Sequence, residues 1–109
     1  MKVYIAGKIT GDPNYKDNFY DGKRAMEMEG HTVLNPADLP EGMRPADYMR
    51  ICFAMIDCSD VVAFLPDWQY SRGAALEYQY CQYVGKEIVF LEEVEPYRNL
   101  TKPRCGIGF

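Results

Sequence analysis

Lys8 and Thr10 sit between two glycines in the segment Gly7-Lys8-Ile9-Thr10-Gly11. Glycines placed this way let backbone N–H groups close on an anion while the lysine supplies charge. The spacing is neither GxGxxG nor a P-loop, and an ordinary turn with a solvated lysine explains it as well. A second segment, Pro66-Asp67-Trp68-Gln69-Tyr70-Ser71-Arg72-Gly73, is richer. Ser71 stands where a helix N-cap belongs, and Gly73 permits close approach to the first turn. Free N–H groups there, the positive end of the helix dipole and the Arg72 guanidinium can together hold a phosphate or a sugar hydroxyl.

Glu77 follows on the next turn, and side chains lean toward a helix's N-terminus, so its carboxylate is expected to point back to the same place. The dipole is expected to keep it ionised. An ionised carboxylate beside a pocket is what attack on a sugar's anomeric carbon requires, with the base leaving through an oxocarbenium-like transition state. A glutamate early in a helix is also favourable for dipole reasons alone. Tyr4 can present its hydroxyl to Glu77 from a strand, although strand tyrosines usually serve packing. Trp68 reads equally as a stacking surface for a base and as a cover for the core or an interface. His31, the single histidine, reads as a turn residue between a helix and a strand.

These groups need a scaffold that brings residues 7–11 and 66–73 together. Glycine and proline divide the chain into strand-like runs over 2–6, 31–34, 61–65 and 87–91 and helical runs over 15–29, 46–58 and 73–84. Three prolines exclude regular structure over 35–45. The helix over 46–58 carries so broad an apolar surface (Tyr48, Met49, Ile51, Cys52, Phe53, Met55, Ile56) that burial on more than one side is expected. The order βαβαβαβ predicts an α/β fold: a small flavodoxin-like, Rossmann-like three-layer sandwich with a four- or five-stranded parallel sheet in the order 2-1-3-4. In such sheets ligands sit beyond the carboxyl ends of the strands where the winding reverses. Here that is between the first and third strands, where both segments converge.

A chain of 109 residues makes one compact domain and is too short for a TIM barrel or a two-half dinucleotide-binding domain. Twelve Lys and Arg against sixteen Asp and Glu leave a net charge of −4, so a nucleic-acid polymer is not an expected partner, whereas a small anion held by local donors is. The four cysteines form no CxxC pair and no His stands at metal-ligand spacing, so neither a metal nor a cofactor is expected. The opening MKVYIAG reads as a strand rather than a signal peptide, and no apolar run approaches about 18 residues. A cytoplasmic protein with reduced thiols and no membrane association is expected.

Four stretches together, MKVYIAGKITG (1–11), GHTVLNPA (30–37), DVVAFLPDW (60–68) and SRGAALE (71–77), resemble the nucleoside 2-deoxyribosyltransferase superfamily, most closely its short, often phage-associated DUF4406 branch. The resemblance implies a flavodoxin-like fold. It also implies chemistry at the N-glycosidic bond, since the superfamily includes base-exchanging transferases and hydrolases of nucleoside 5′-monophosphates. On that pattern Glu77 matches the nucleophile and Tyr4 a first-strand tyrosine beside it. Ser71 stands where the transferases carry an aspartate that reads the sugar's 5′-hydroxyl, and where the monophosphate hydrolases carry a serine that holds phosphate. Gly7, Lys8, Thr10, Arg72 and Gly73 complete the expected substrate contacts, with Trp68 on the base.

One position departs from the pattern. Family enzymes usually carry an aspartate eight residues before the position of Asp60, and here that residue is Cys52. A thiol is a poor acid for a leaving base, so either another group such as Asp67 protonates it, or the reaction is slow, or the protein binds without cutting. The expectation is therefore an N-glycosidase of (deoxy)nucleoside 5′-monophosphates. The alternatives are an inactive nucleotide-binding module and a base-exchanging transferase. So short a chain leaves the crevice open on one side. Superfamily enzymes close theirs with a neighbouring subunit, which makes a homodimer or larger assembly the expected functional unit.

Overall fold

The computed structural model describes residues 1–92. Four strands alternate with three helices: β1 (Lys2–Ala6), α1 (Tyr15–Met28), β2 (Thr32–Leu34), α2 (Pro45–Cys58), β3 (Val61–Phe64), α3 (Arg72–Val84) and β4 (Glu87–Phe90). The strands pair in parallel in the order β2-β1-β3-β4. This is the α/β architecture and winding that the sequence predicts.

The sheet's two faces follow from the alternation of side chains along β1 and β3, the central pair, in which only Lys2 escapes burial. Val3, Ile5, Val61, Ala63 and Leu65 meet Phe19 and Met26 of α1 on one face. Tyr4, Ala6, Val62 and Phe64 meet Cys52 and Ile56 of α2 and Cys81 of α3 on the other. One helix covers the first face and two cover the second, which gives three layers. Helix α1 lies close to the sheet because Gly22 has no side chain; a Cβ there would stand 3.0 Å from Leu65 Cδ2.

Two expectations change. Residues 35–45 do contain ordered structure, a single 3-10 turn over Pro36–Asp38, because the buried Asn35 side chain accepts the Ala37 N–H at 3.0 Å and the following proline is already at a helical φ. Helix α2 is not enclosed on several sides: only Cys52 and Ile56 are buried, and Ile51, Phe53 and Met55 are half-exposed. The helix packs on the sheet and α3 with one side, and among the described residues nothing covers the rest. Phe53 stacks instead on Tyr80 of α3, with ring centroids 4.4 Å apart. His31 lies in the turn before β2, with Nδ1 3.2 Å from the chain's N-terminal nitrogen.

Candidate active site

The winding reverses between β1 and β3, which are joined in the register Tyr4 to Val62 and Ala6 to Phe64. Gly7 follows β1 and is buried against Leu65, which follows β3. A Cβ there would come within 2.7 Å of Leu65 Cδ1, so only glycine fits without movement. Lys8 N–H then donates to Asp67 Oδ1 at 3.2 Å, tying the two predicted segments together. Thr10 is exposed on the turn that follows.

At the head of α3, Ser71 is the N-cap: its Oγ accepts the Ala74 N–H at 3.1 Å. Arg72 is exposed, and among the described residues it meets no acid. Gly73 faces Met49 of α2, whose Sδ would lie 3.5 Å from a Cβ, so the first turns of α2 and α3 abut at this point.

Glu77, on the next turn of α3, is only 5% exposed. The Tyr4 hydroxyl, itself buried, donates to Glu77 Oε2 at 2.6 Å. Cys52 of α2 is buried in the same cluster as Tyr4. Burial pushes the Glu77 carboxyl up to about 7, against the Tyr4 hydrogen bond, which pulls it down. The dipole expectation is thus corrected: the carboxyl lies beyond the first turn, where the dipole fades, while desolvation acts on it in full. Burial, followed by the Glu77 charge, raises Tyr4 well above the usual phenol range. Burial pushes Cys52 up to about 11, so its thiol stays protonated at neutral pH.

Trp68 stands on the β4 side of β3, whereas Glu77 is bonded to β1. Its ring lies 4.6 Å from that of Tyr78, 5.3 Å from Phe64 and 5.8 Å from Phe90. This aromatic group lines a cleft of about 460 Å³ at the ends of β3 and β4. The structure therefore brings Tyr4 and Glu77 together, joins Lys8 to Asp67, sets Ser71 as a cap and places Trp68 in an aromatic group that lines this cleft. Sequence reasoning placed Cys52 near the site, where the structure buries it in the same cluster as Tyr4. It also passed over Cys81, four residues after Glu77 and fully buried, although the i, i+4 spacing was there to be read.

A parallel sheet wound in this order is a flavodoxin-like α/β fold, and here a buried carboxyl lies beside its reversal. The fold is similar to that of a solved 2-desoxiribosyltransferase from Leishmania mexicana, with a TM-score of 0.64, 22% identity, and coverage of 83% of this chain and 63% of that one. The chain thus spans less than two thirds of that neighbour. Residues 1–90 match the model of a domain of unknown function, DUF4406, and the chain belongs to that family. No curated protein matches it.

Proposed function

We propose that this protein is an N-glycosidase that cleaves the base from (deoxy)nucleoside 5′-monophosphates, with Glu77 as nucleophile. The observation that carries the reading is the buried Tyr4–Glu77 pair, 2.6 Å apart, at the winding reversal of the sheet. The activity named for the Leishmania mexicana neighbour, transfer at deoxyribose, supports the same bond as target.

In the proposed reaction a Glu77 carboxylate oxygen bonds to C1′ as the C1′–N bond breaks and its electron pair leaves with the base, which takes up a proton. Water then bonds to C1′, releasing a proton, and the carboxylate leaves with its pair. Tyr4 keeps the carboxylate oriented through both steps. The Ser71 hydroxyl accepts the Ala74 N–H and keeps its own proton to donate to a phosphate oxygen. Arg72, Gly73, Gly7 and Lys8 supply further charge and close backbone approach, and Thr10 lies on the rim. An aspartate in place of Ser71 would repel the phosphate.

The test is incubation with a panel of nucleosides and nucleoside monophosphates, free base being read by chromatography beside Glu77→Ala. Base release that the variant abolishes supports the reading; no release from any substrate, or equal release by the variant, ends it. A second reading, a nucleotide-binding module without turnover, is favoured by one observation: the Cys52 thiol, held at about 11, is no acid for a leaving base at neutral pH. Saturable nucleotide binding with no product over hours selects it.

A further inference from the structure

The aromatic cleft at the ends of β3 and β4 stands apart from the buried pair, since neither Glu77 nor Tyr4 lines it. Its volume, about 460 Å³, falls among those of clefts that hold small molecules, about 300–1,000 Å³. Trp68, Tyr78 and Phe90 have ring centroids 4.6 to 6.0 Å apart and planes tilted by 33° to 45°. None of the three is stacked flat on another. Phe53 and Tyr80 show the contrast, with planes only 7° apart, so that each ring covers a face of the other. The fully buried Phe64 meets Trp68 and Tyr78 edge-on, at 61° and 81°. Phe90, 47% exposed, leaves ring surface open to water. Aromatic surface left wet beside a cleft marks a place for a ligand or a partner.

The lining decides which. Among the described residues it carries no Lys, Arg, Asp or Glu, so it offers no charge to a phosphate or a carboxylate. Its polar side chains are neutral. The Gln69 amide makes no hydrogen bond among the described residues, and the Tyr78 hydroxyl accepts from Gln82 Nε2 at 3.0 Å and keeps its own proton to donate. We propose that this cleft is a second binding site, for an uncharged planar heteroaromatic ring such as a free nucleobase. The ring lies against the faces that Trp68, Tyr78 and Phe90 leave open, and its edge exchanges hydrogen bonds with Gln69 and Tyr78. An amide that both donates and accepts suits an edge carrying both kinds of group, which a hydrocarbon lacks. The site stands whether or not Glu77 cleaves a substrate.

Trp68 is the only tryptophan in the chain, so tryptophan emission of the full chain reads this cleft directly. Adenine, thymine, adenosine 5′-monophosphate and toluene are titrated at neutral pH, with excitation beyond the tyrosine band. Saturable quenching by adenine or thymine is expected, with no gain from the nucleotide's phosphate and with toluene about tenfold weaker than the better base. Phe90→Ala is expected to weaken that base about tenfold and Gln69→Ala about fivefold, whereas Glu77→Gln leaves it within about twofold. No saturable response to either base overturns the proposal. So does a nucleotide that binds about tenfold more tightly than adenine, or toluene that matches the bases. Loss of quenching in Glu77→Gln puts the ring at the reaction centre and overturns it as well. Emission that shifts on dilution of the protein and ignores every ring assigns the cleft to a second copy of the chain and ends the proposal. Unchanged affinity in Phe90→Ala also ends it; if that variant does not fold, Gln69→Ala, at an exposed position, decides in the same way.

Discussion

Glu77 is held at a cost to folding, and the sign of that cost can be worked out. Its folded value of about 7 lies above the ordinary 4.5, so the folded chain binds a proton that the unfolded chain releases. The stability this contributes is fully present below pH 4.5 and is lost as the pH rises through 7. Glu77→Gln, neutral at every pH, is therefore expected to melt higher than wild type at pH 8, by up to about 3 kcal/mol, and to lose that advantage at pH 4.5. Paired thermal melts at the two pH values check it; equal melting at pH 8 refutes it. Tyr4→Phe removes the 2.6 Å donor and is expected to cost about 1–3 kcal/mol at pH 8, read in the same melts. The approach of Tyr4 and Glu77 was legible in the sequence, because a strand hydroxyl and a carboxylate leaning back along its helix have few other places to meet. The charge state was not. It depends on how completely α2 and the sheet exclude water, which is a property of packing and not of position along the helix.

At the scale of elements, the two loops and the head of α3 carry tighter constraints than their composition suggests. Gly7→Ala places a methyl 2.7 Å from Leu65 Cδ1 and 3.1 Å from its Cβ, so the Leu65 side chain must shift. A loss of about 1–3 kcal/mol in urea unfolding is expected, together with weaker nucleotide binding, because Lys8 N–H and Asp67 shift apart. Ser71→Ala removes the cap on Ala74 and is expected to cost about 1 kcal/mol. On the proposed function it also weakens a nucleoside monophosphate more than the matching nucleoside, which isothermal titration of both ligands measures. The cap was readable, since Ser71 precedes a helical run and two residues later comes a glycine. So were all four strands and three helices, within a residue or two at most ends. The turn over Pro36–Asp38 escaped notice because Asn35 organises it through a side chain, against prolines that argue for irregularity. Trp68 was open in the sequence for a different reason: its neighbours Phe64, Tyr78 and Phe90 come from three separate elements, and no local pattern announces such a meeting.

At the scale of the molecule, α3 presents Leu76, half-exposed, and Tyr83, 92% exposed, seven residues apart and so on one side of the helix. Apolar residues left open in this way, beside the half-covered α2, fit the expected self-association. Residues 93–109 lie outside the described residues. Light scattering is expected to give at least twice the 12.5 kDa of one chain, falling to one chain in the double variant Leu76→Glu, Tyr83→Glu. A monomer at micromolar concentration refutes the assembly. No helix among the described residues is long and apolar enough to cross a membrane. The strand order carries one more consequence, for the birth of the protein. β1 lies between β2 and β3, and its pairing with β3 joins residues 58 apart in the chain, Val3 with Val61. The ribosome therefore releases the middle of the sheet first and must deliver more than half of the chain before that strand has a neighbour on both sides. Until then the run Val3-Tyr4-Ile5-Ala6 has an open edge on its β3 side, and folding should be slow and helped by whatever shields that edge during synthesis.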